Sequence, residues 1–368
     1  MKFTASTAAL QKALSIVSPI TSSKSPMSIL GCVLIEAYDK EIRLTGTDLS
    51  ISATITVDGM VSDPGCAAIR GKLFEDVVKR MPDGQITVNV NDKHRFTVQA
   101  DEIKTSLSGV DAADFPERKT VEETSKISVP QAMLHDMISK VESCIAKDDI
   151  RPVLTGGYLE LEKGRLTMVG MDGFRMAVKS TNGPIEPTGL KAIIPWKSLA
   201  MLKKLVSPSS EELVTLMFDK NAFEVVIDDA ELHCTLIAEE YVKWRTVVPQ
   251  AYNTEVTVDA SRFRDAIDRA SLIARLGNSK LIKLTVNDDG MTISASSDVD
   301  EMIERIDAEK TGADISIAFN VAFVVDMIRT MPEGNIIFKM VKNVHPCVVK
   351  HEDDDEYFCL LLPVRTSA

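Results

Sequence analysis

One phrase occurs three times along the chain, and no other feature limits the possible folds so tightly. Its first copy runs Ala68-Ile69-Arg70-Gly71-Lys72-Leu73-Phe74 and ends at Met81-Pro82-Asp83-Gly84, before the alternating Gln85-Ile86-Thr87-Val88-Asn89-Val90. The second runs from Ile193-Ile194-Pro195-Trp196 through Ser207-Pro208 to Glu212–Met217, and the third from Ile317-Ala318-Phe319-Asn320 through Met331-Pro332-Glu333-Gly334 to Asn335–Met340. Each copy reads as strand end, helix, Pro-containing stop and strand. Ile69 and Ile194 are 125 residues apart, Ile194 and Ala318 are 124 apart, and Asp48 and Asp172 repeat the step of 124. A fixed period of this length means tandem domains, because it far exceeds a solenoid unit.

The opening helix recurs as well. Ser6–Ser18, Val129–Lys147 and Ala260–Leu276 each carry apolar residues at helical spacing, with Ser6 a candidate N-cap, and each follows a short alternating strand. Two helices and about eight strands are expected per repeat. Strands such as Ile51-Ser52-Ala53-Thr54-Ile55-Thr56-Val57 alternate apolar and polar residues, the pattern of antiparallel sheet covered on one face. The expected class is α+β, three copies of one domain with two helices packed on antiparallel sheets, at residues 1–120, 121–250 and 251–368.

Composition narrows the function. The net charge of −12 and the 5% aromatic content argue against a protein that grips nucleic acid by bulk charge or by stacking bases. The charge is uneven, however. The six expected helices (the three above with Lys72–Met81, Trp196–Val206 and Phe319–Met331) together carry +7, leaving −19 elsewhere. A mildly basic helical surface within an acidic shell would let a duplex lie against the helices alone. The six cysteines form no CxxC pair, there is no signal-peptide core, and no apolar run is long enough to span a membrane, so a cytoplasmic chain with reduced thiols is expected. No phosphate-binding loop, GxSxG elbow or HExxH helix is present. His345, Cys347, His351 and Cys359 lack metal-ligand spacing, and His351–Glu356 reads as a solvated hairpin loop. No enzyme activity, cofactor or metal is expected.

With Met1-Lys2-Phe3-Thr4, Leu44-Thr45-Gly46-Thr47-Asp48-Leu49, Ala113-Asp114-Phe115-Pro116, Asp172-Gly173-Phe174-Arg175-Met176-Ala177-Val178, Phe319-Asn320-Val321 and Leu362-Pro363-Val364-Arg365 in this order, the whole chain resembles the bacterial DNA polymerase III beta subunit family of sliding clamps. The resemblance implies a head-to-tail homodimer closing six domains into a ring around duplex DNA. Such a ring tethers the replicative polymerase, the clamp loader and repair proteins, and needs no base contact. It also implies a pocket between the second and third domains for short apolar peptides, formed here by Leu154, Met171, Gly173, Phe174, Arg175, Met176, Val247, Leu360, Leu362, Pro363 and Val364. Lys24 stands where the family often has a DNA-touching Arg. It joins Arg151, Lys197 and the helix-borne Lys79, Arg80, Lys203 and Arg269 as DNA-facing candidates.

The chain departs from the family at several places. Phe174 replaces a usual His, Tyr241-Val242 a usual Phe-Pro and Thr246 a second Arg, while Pro152-Val153 stands for an aromatic pair. The tail Thr366-Ser367-Ala368 runs past the usual end. These departures keep one alternative open, a diverged ring or scaffold that binds protein partners without encircling DNA.

Overall fold

The computed structural model describes all residues except 22–24, 118–119, 123–124, 149, 183–188 and 366–368. Lys24 and the tail Thr366–Ala368 therefore lie outside the described residues. Six α-helices are described: α1 (Thr7–Val17), α2 (Gly71–Val78), α3 (Gln131–Val141), α4 (Trp196–Leu205), α5 (Ala260–Leu276) and α6 (Val321–Thr330). Two fall in each repeat, with eight, eight and nine strands among the described residues of the first, second and third. Every strand pairing among them is antiparallel.

The chain divides into two compact units, Met1–Ala132 with Ala200–Leu236, and Met133–Leu199 with Ile237–Ala368. They do not coincide with the repeats, because each long sheet draws strands from two neighbouring repeats. In the first unit the strand Ile51–Asp63 pairs with Ala230–Thr235 of the central repeat, within a twelve-stranded sheet. The opening strand Lys2–Ser6 pairs with both Gln85–Val90 and Ile51–Asp63, so the eight strands of the first repeat close on themselves. Closure removes the open edges that would otherwise invite strand addition. Helix α1 turns Leu10, Ala13, Leu14 and Val17 onto this sheet and onto α2, all fully buried.

In the second unit, Arg175–Asn182 of the central repeat pairs with Tyr357–Leu361 of the third, within a nine-stranded sheet. A separate four-stranded sheet, ordered Glu301–Ile306, Gly290–Ser296, Leu281–Asn287 and Ile315–Asn320, carries α5.

A glycine repeats with the domain for a steric reason. A Cβ on Gly46 would run into the carbonyl oxygen of Val17, and one on Gly170 into that of Val141. Val17 and Val141 are the last residues of α1 and α3. The first two repeats thus end their opening helix directly over a strand glycine. The third has Ala295 and Ser296 in that region, and its helix runs on for 17 residues.

Several helix ends differ from expectation. α3 starts two residues later than Val129, because Val129 and Pro130 complete the preceding strand, and it gives way at Glu142 to a 3-10 turn. α2 stops at Val78, leaving Lys79 and Arg80 just beyond it, and α6 spans one to two residues less at each end. The charge within the helices falls to +5 as a result, with the same sign and location. Ser6 occupies the N-cap position of α1 but makes no side-chain cap bond; its place in the strand Lys2–Ser6 holds it in the sheet ladder instead. The segment His351–Glu356 is the turn of a hairpin between Cys347–His351 and Tyr357–Leu361. No helix among the described residues is long and apolar enough to cross a membrane.

Candidate functional site

The expected peptide-site residues all fall in the second unit. Register brings the first of them together. Arg175 lies opposite Leu361 and Met176 opposite Leu360, across two strands separated by the second half of the central repeat and nearly the whole third. Leu154, Met171, Met176 and Leu360 are buried in one cluster with Tyr241, Trp244, Val178 and Val348. Above this floor stand side chains that water still reaches: Phe174 at 62% exposure, Leu362 at 37%, Val364 at 39% and Val247 at 40%. The closing segment of the chain is strapped across the site. The Leu362 amide donates to the Phe174 carbonyl at 2.9 Å, and the Val364 amide to the Ala318 carbonyl at 2.8 Å. An apolar floor, a wet apolar rim and backbone running along both sides suit a short extended peptide.

The turn carrying Phe174 is built by Asp172. Its Oδ1 accepts the amides of Phe174 (2.9 Å) and Arg175 (3.0 Å), and Gly173 takes φ +91°, where an L side chain would be strained. Arg175 then ties the turn to α6. Its Nε donates to Asp172 Oδ2 at 2.9 Å, its Nη1 donates to Asp326 Oδ2 at 2.7 Å, and its guanidinium lies 4.5 Å from the Phe323 ring centre. Burial alone would lower the Arg175 pKa, but the bonds to Asp326 and Asp172 outweigh it and the net shift is upward. The guanidinium therefore stays charged. The Phe174 ring stacks on Phe323 at 6.2 Å.

Phe323 and Asp326 are site residues that sequence reasoning missed. They sit three apart on α6, so one helix face presents a ring and a carboxylate to the same guanidinium. Their spacing puts them on one helix face, but nothing in the sequence directs that face at Arg175. Tyr241 and Trp244 were missed as floor residues too; Tyr241 stands where the family pattern changes. Tyr158 stacks flat on Tyr241 at 4.7 Å, and Arg245 covers Trp244 at 4.3 Å while pairing with the buried Glu160.

The DNA-facing candidates are scattered, and several are already engaged. Lys79 Nζ lies 2.5 Å from Glu75, and Arg80 donates to the Asp76 carbonyl at 2.6 Å. Arg269 on α5 forms a two-pronged pair with Glu304 at 2.8 and 2.6 Å. Lys197 and Lys203 lie on α4, which carries no acidic residue. Arg151 is on no helix. It precedes the 3-10 turn Pro152–Leu154, and its guanidinium lies beside Gly173. A cavity of about 310 Å³ in the first unit, under Phe115 and Pro116, is lined by none of the expected site residues.

Sequence models of the DNA polymerase III beta subunit match in order along the chain, the N-terminal domain over residues 1–119, the central domain over 128–243 and the C-terminal domain over 245–365. The beta sliding clamp of Staphylococcus aureus is 28% identical over 367 residues, covering 97% of this chain and 96% of its own. The crystal structure of the DNA polymerase sliding clamp from Bacillus subtilis superposes with a TM-score of 0.93 at 25% identity, covering 100% of both chains. That of the DNA polymerase III beta subunit from Thermotoga maritima has the same fold, with a TM-score of 0.92 at 24% identity and 100% of both chains covered.

Proposed function

The chain belongs to the DNA polymerase III beta subunit family, and from that premise we propose that it is a DNA sliding clamp. Two copies join head to tail, six domains close into a ring around duplex DNA, and the ring tethers the replicative polymerase and its other partners. The single observation that carries this reading is the ordered match of all three family domains along one chain. The clamp is a processivity factor and catalyses nothing itself. It works in the cytoplasm, where replication partners find it.

The acidic balance of the chain fits a topological hold better than an adhesive one. A protein that encircles a duplex needs only weak phosphate contacts, which carry no sequence information and permit sliding. We assign those contacts to basic residues on and beside the helices: Lys79, Arg80, Lys197, Lys203 and Arg269. Weak contact is consistent with the carboxylates already engaging Lys79 and Arg269. The domains are taken as residues 1–120, 121–250 and 251–368.

Partners dock through short apolar peptide segments on the floor of Leu154, Met171, Met176 and Leu360, beneath the rim of Phe174, Val247, Leu362, Pro363 and Val364. Polymerase stimulation on a primed circular template tests the assignment. The double substitution Leu362→Ala with Pro363→Ala is expected to keep the dimer mass and abolish stimulation. Full stimulation by that variant would remove the site from the account.

A further inference from the structure

We propose that Lys140 and Tyr357, which lie outside the peptide site, are positioning residues that set the geometry at which the site takes a partner peptide; this rests on the peptide-site reading above. The two side chains meet in a knot that ties three elements together. Lys140 is the penultimate residue of α3, and its Nζ donates to the carbonyl of Thr330, the last residue of α6. The same ammonium lies 4.7 Å from the centre of the Tyr357 ring. Tyr357 is fully buried and opens the strand Tyr357–Leu361. Its hydroxyl donates to the Lys140 carbonyl at 3.2 Å and lies 2.6 Å from Thr330 Oγ1.

A helix leaves its last carbonyls without intrahelical partners and carries partial negative charge at that end. The Lys140 ammonium satisfies one of these carbonyls on α6 and fixes the helix there. The Tyr357 hydroxyl ties the closing strand to the same point. Both elements run from the knot into the site. One and two turns before Thr330, α6 carries Asp326, which holds Arg175, and Phe323, which stacks on Phe174. The strand continues through Leu360 of the floor to Leu362, whose amide is bound to the Phe174 carbonyl. Floor and rim thus take their positions from one cation. The anchoring of α3 itself does not call for that cation. Leu134, Met137, Ile138 and Val141 already bury the apolar face of α3. The ammonium reaches beyond its own helix, and what it holds is the end of α6.

The test titrates the full-length dimer into polymerase stimulation on a primed circular template. Lys140→Met keeps an unbranched side chain and removes the cation. It is expected to raise the concentration for half-maximal stimulation about threefold to tenfold and to leave the plateau unchanged. Lys140→Arg should recover most of that loss. In a Phe323→Ala background, Lys140→Met should cost less than the two losses multiplied, because both act through α6. A half-maximal concentration in Lys140→Met equal to that of the wild type overturns the proposal. So does an equal loss in Lys140→Met and Lys140→Arg, which would put volume and not charge at work, or strict multiplication with Phe323→Ala. If Lys140→Met yields no dimer, Tyr357→Phe takes its place, since it removes only the hydroxyl; an unchanged half-maximal concentration there is the overturning result. Leu362→Ala with Pro363→Ala is measured alongside. Full stimulation by that variant removes the peptide site itself, whereas its failure beside a wild-type response from Lys140→Met removes this inference alone.

Discussion

Single residues in this chain show how a charge is put to use before any partner arrives. Glu75 on α2 is 5% exposed, yet it remains a carboxylate because Ser18 donates to it at 2.9 Å and Lys79 lies against its other oxygen. Burial pushes its pKa up; the bonds from Lys79 and Ser18 pull it down, and the net shift is below the ordinary value of 4.5. A carboxylate whose pKa is depressed by folding stabilises the fold above its unfolded pKa, and that contribution drains away as pH falls through the folded one. Glu75→Gln is therefore expected to cost about 1–3 kcal/mol at pH 7. The gap from wild type in urea unfolding should narrow as the pH drops below 4.5. A gap that stays constant down to the acid limit would show that the carboxylate charge contributes nothing. The same geometry explains why residue type alone misleads about availability. Lys79 and Arg175 look like free cations in the sequence, and partners at i−4 and 151 positions away show otherwise.

The elements were legible from the sequence to a large degree, and the shortfalls have physical causes. Apolar spacing located the three opening helices, the recurring phrase with its Pro-containing stop located the other three, and alternation located strands such as Ile51–Val57, because each has one face buried against the sheet or the helix layer. Helix ends were less visible, since they depend on which backbone groups the neighbouring strand claims. Ser6 is spent on the strand, whereas Asn320 and Asp259 cap their helices, accepting the amides of Ala322 at 2.9 Å and Arg262 at 2.8 Å. Asn320→Ala should thus lower stability by about 1 kcal/mol, and Ser6→Ala by no more than a few tenths of that. Comparing the two urea midpoints checks the assignment; equal losses would contradict it. For the site, resemblance and motif supplied the floor and the rim. Phe323 and Asp326 were hidden because their connection to Arg175 is made only when α6 packs beside the Asp172 turn, a juxtaposition no local pattern encodes. The place of Arg151 beside Gly173 likewise appears only once the turn is folded.

At the scale of the whole molecule, a threefold repeat of one domain accounts for an acidic protein that works on DNA. Repetition supplies the same helix pair three times per chain, and two chains would supply it six times around one axis. Binding then depends on closure and not on adhesion, so net charge ceases to be an obstacle. The central claim is topological, and retention on DNA measures it directly. The full-length protein, loaded by its clamp loader onto a nicked circular plasmid and separated from free protein by gel filtration in high salt, is expected to stay with the circle. A single restriction cut should release it within minutes, as it slides off the new ends. Equal retention on circular and linear DNA, or salt-sensitive loss from both, would contradict a ring that encircles the duplex.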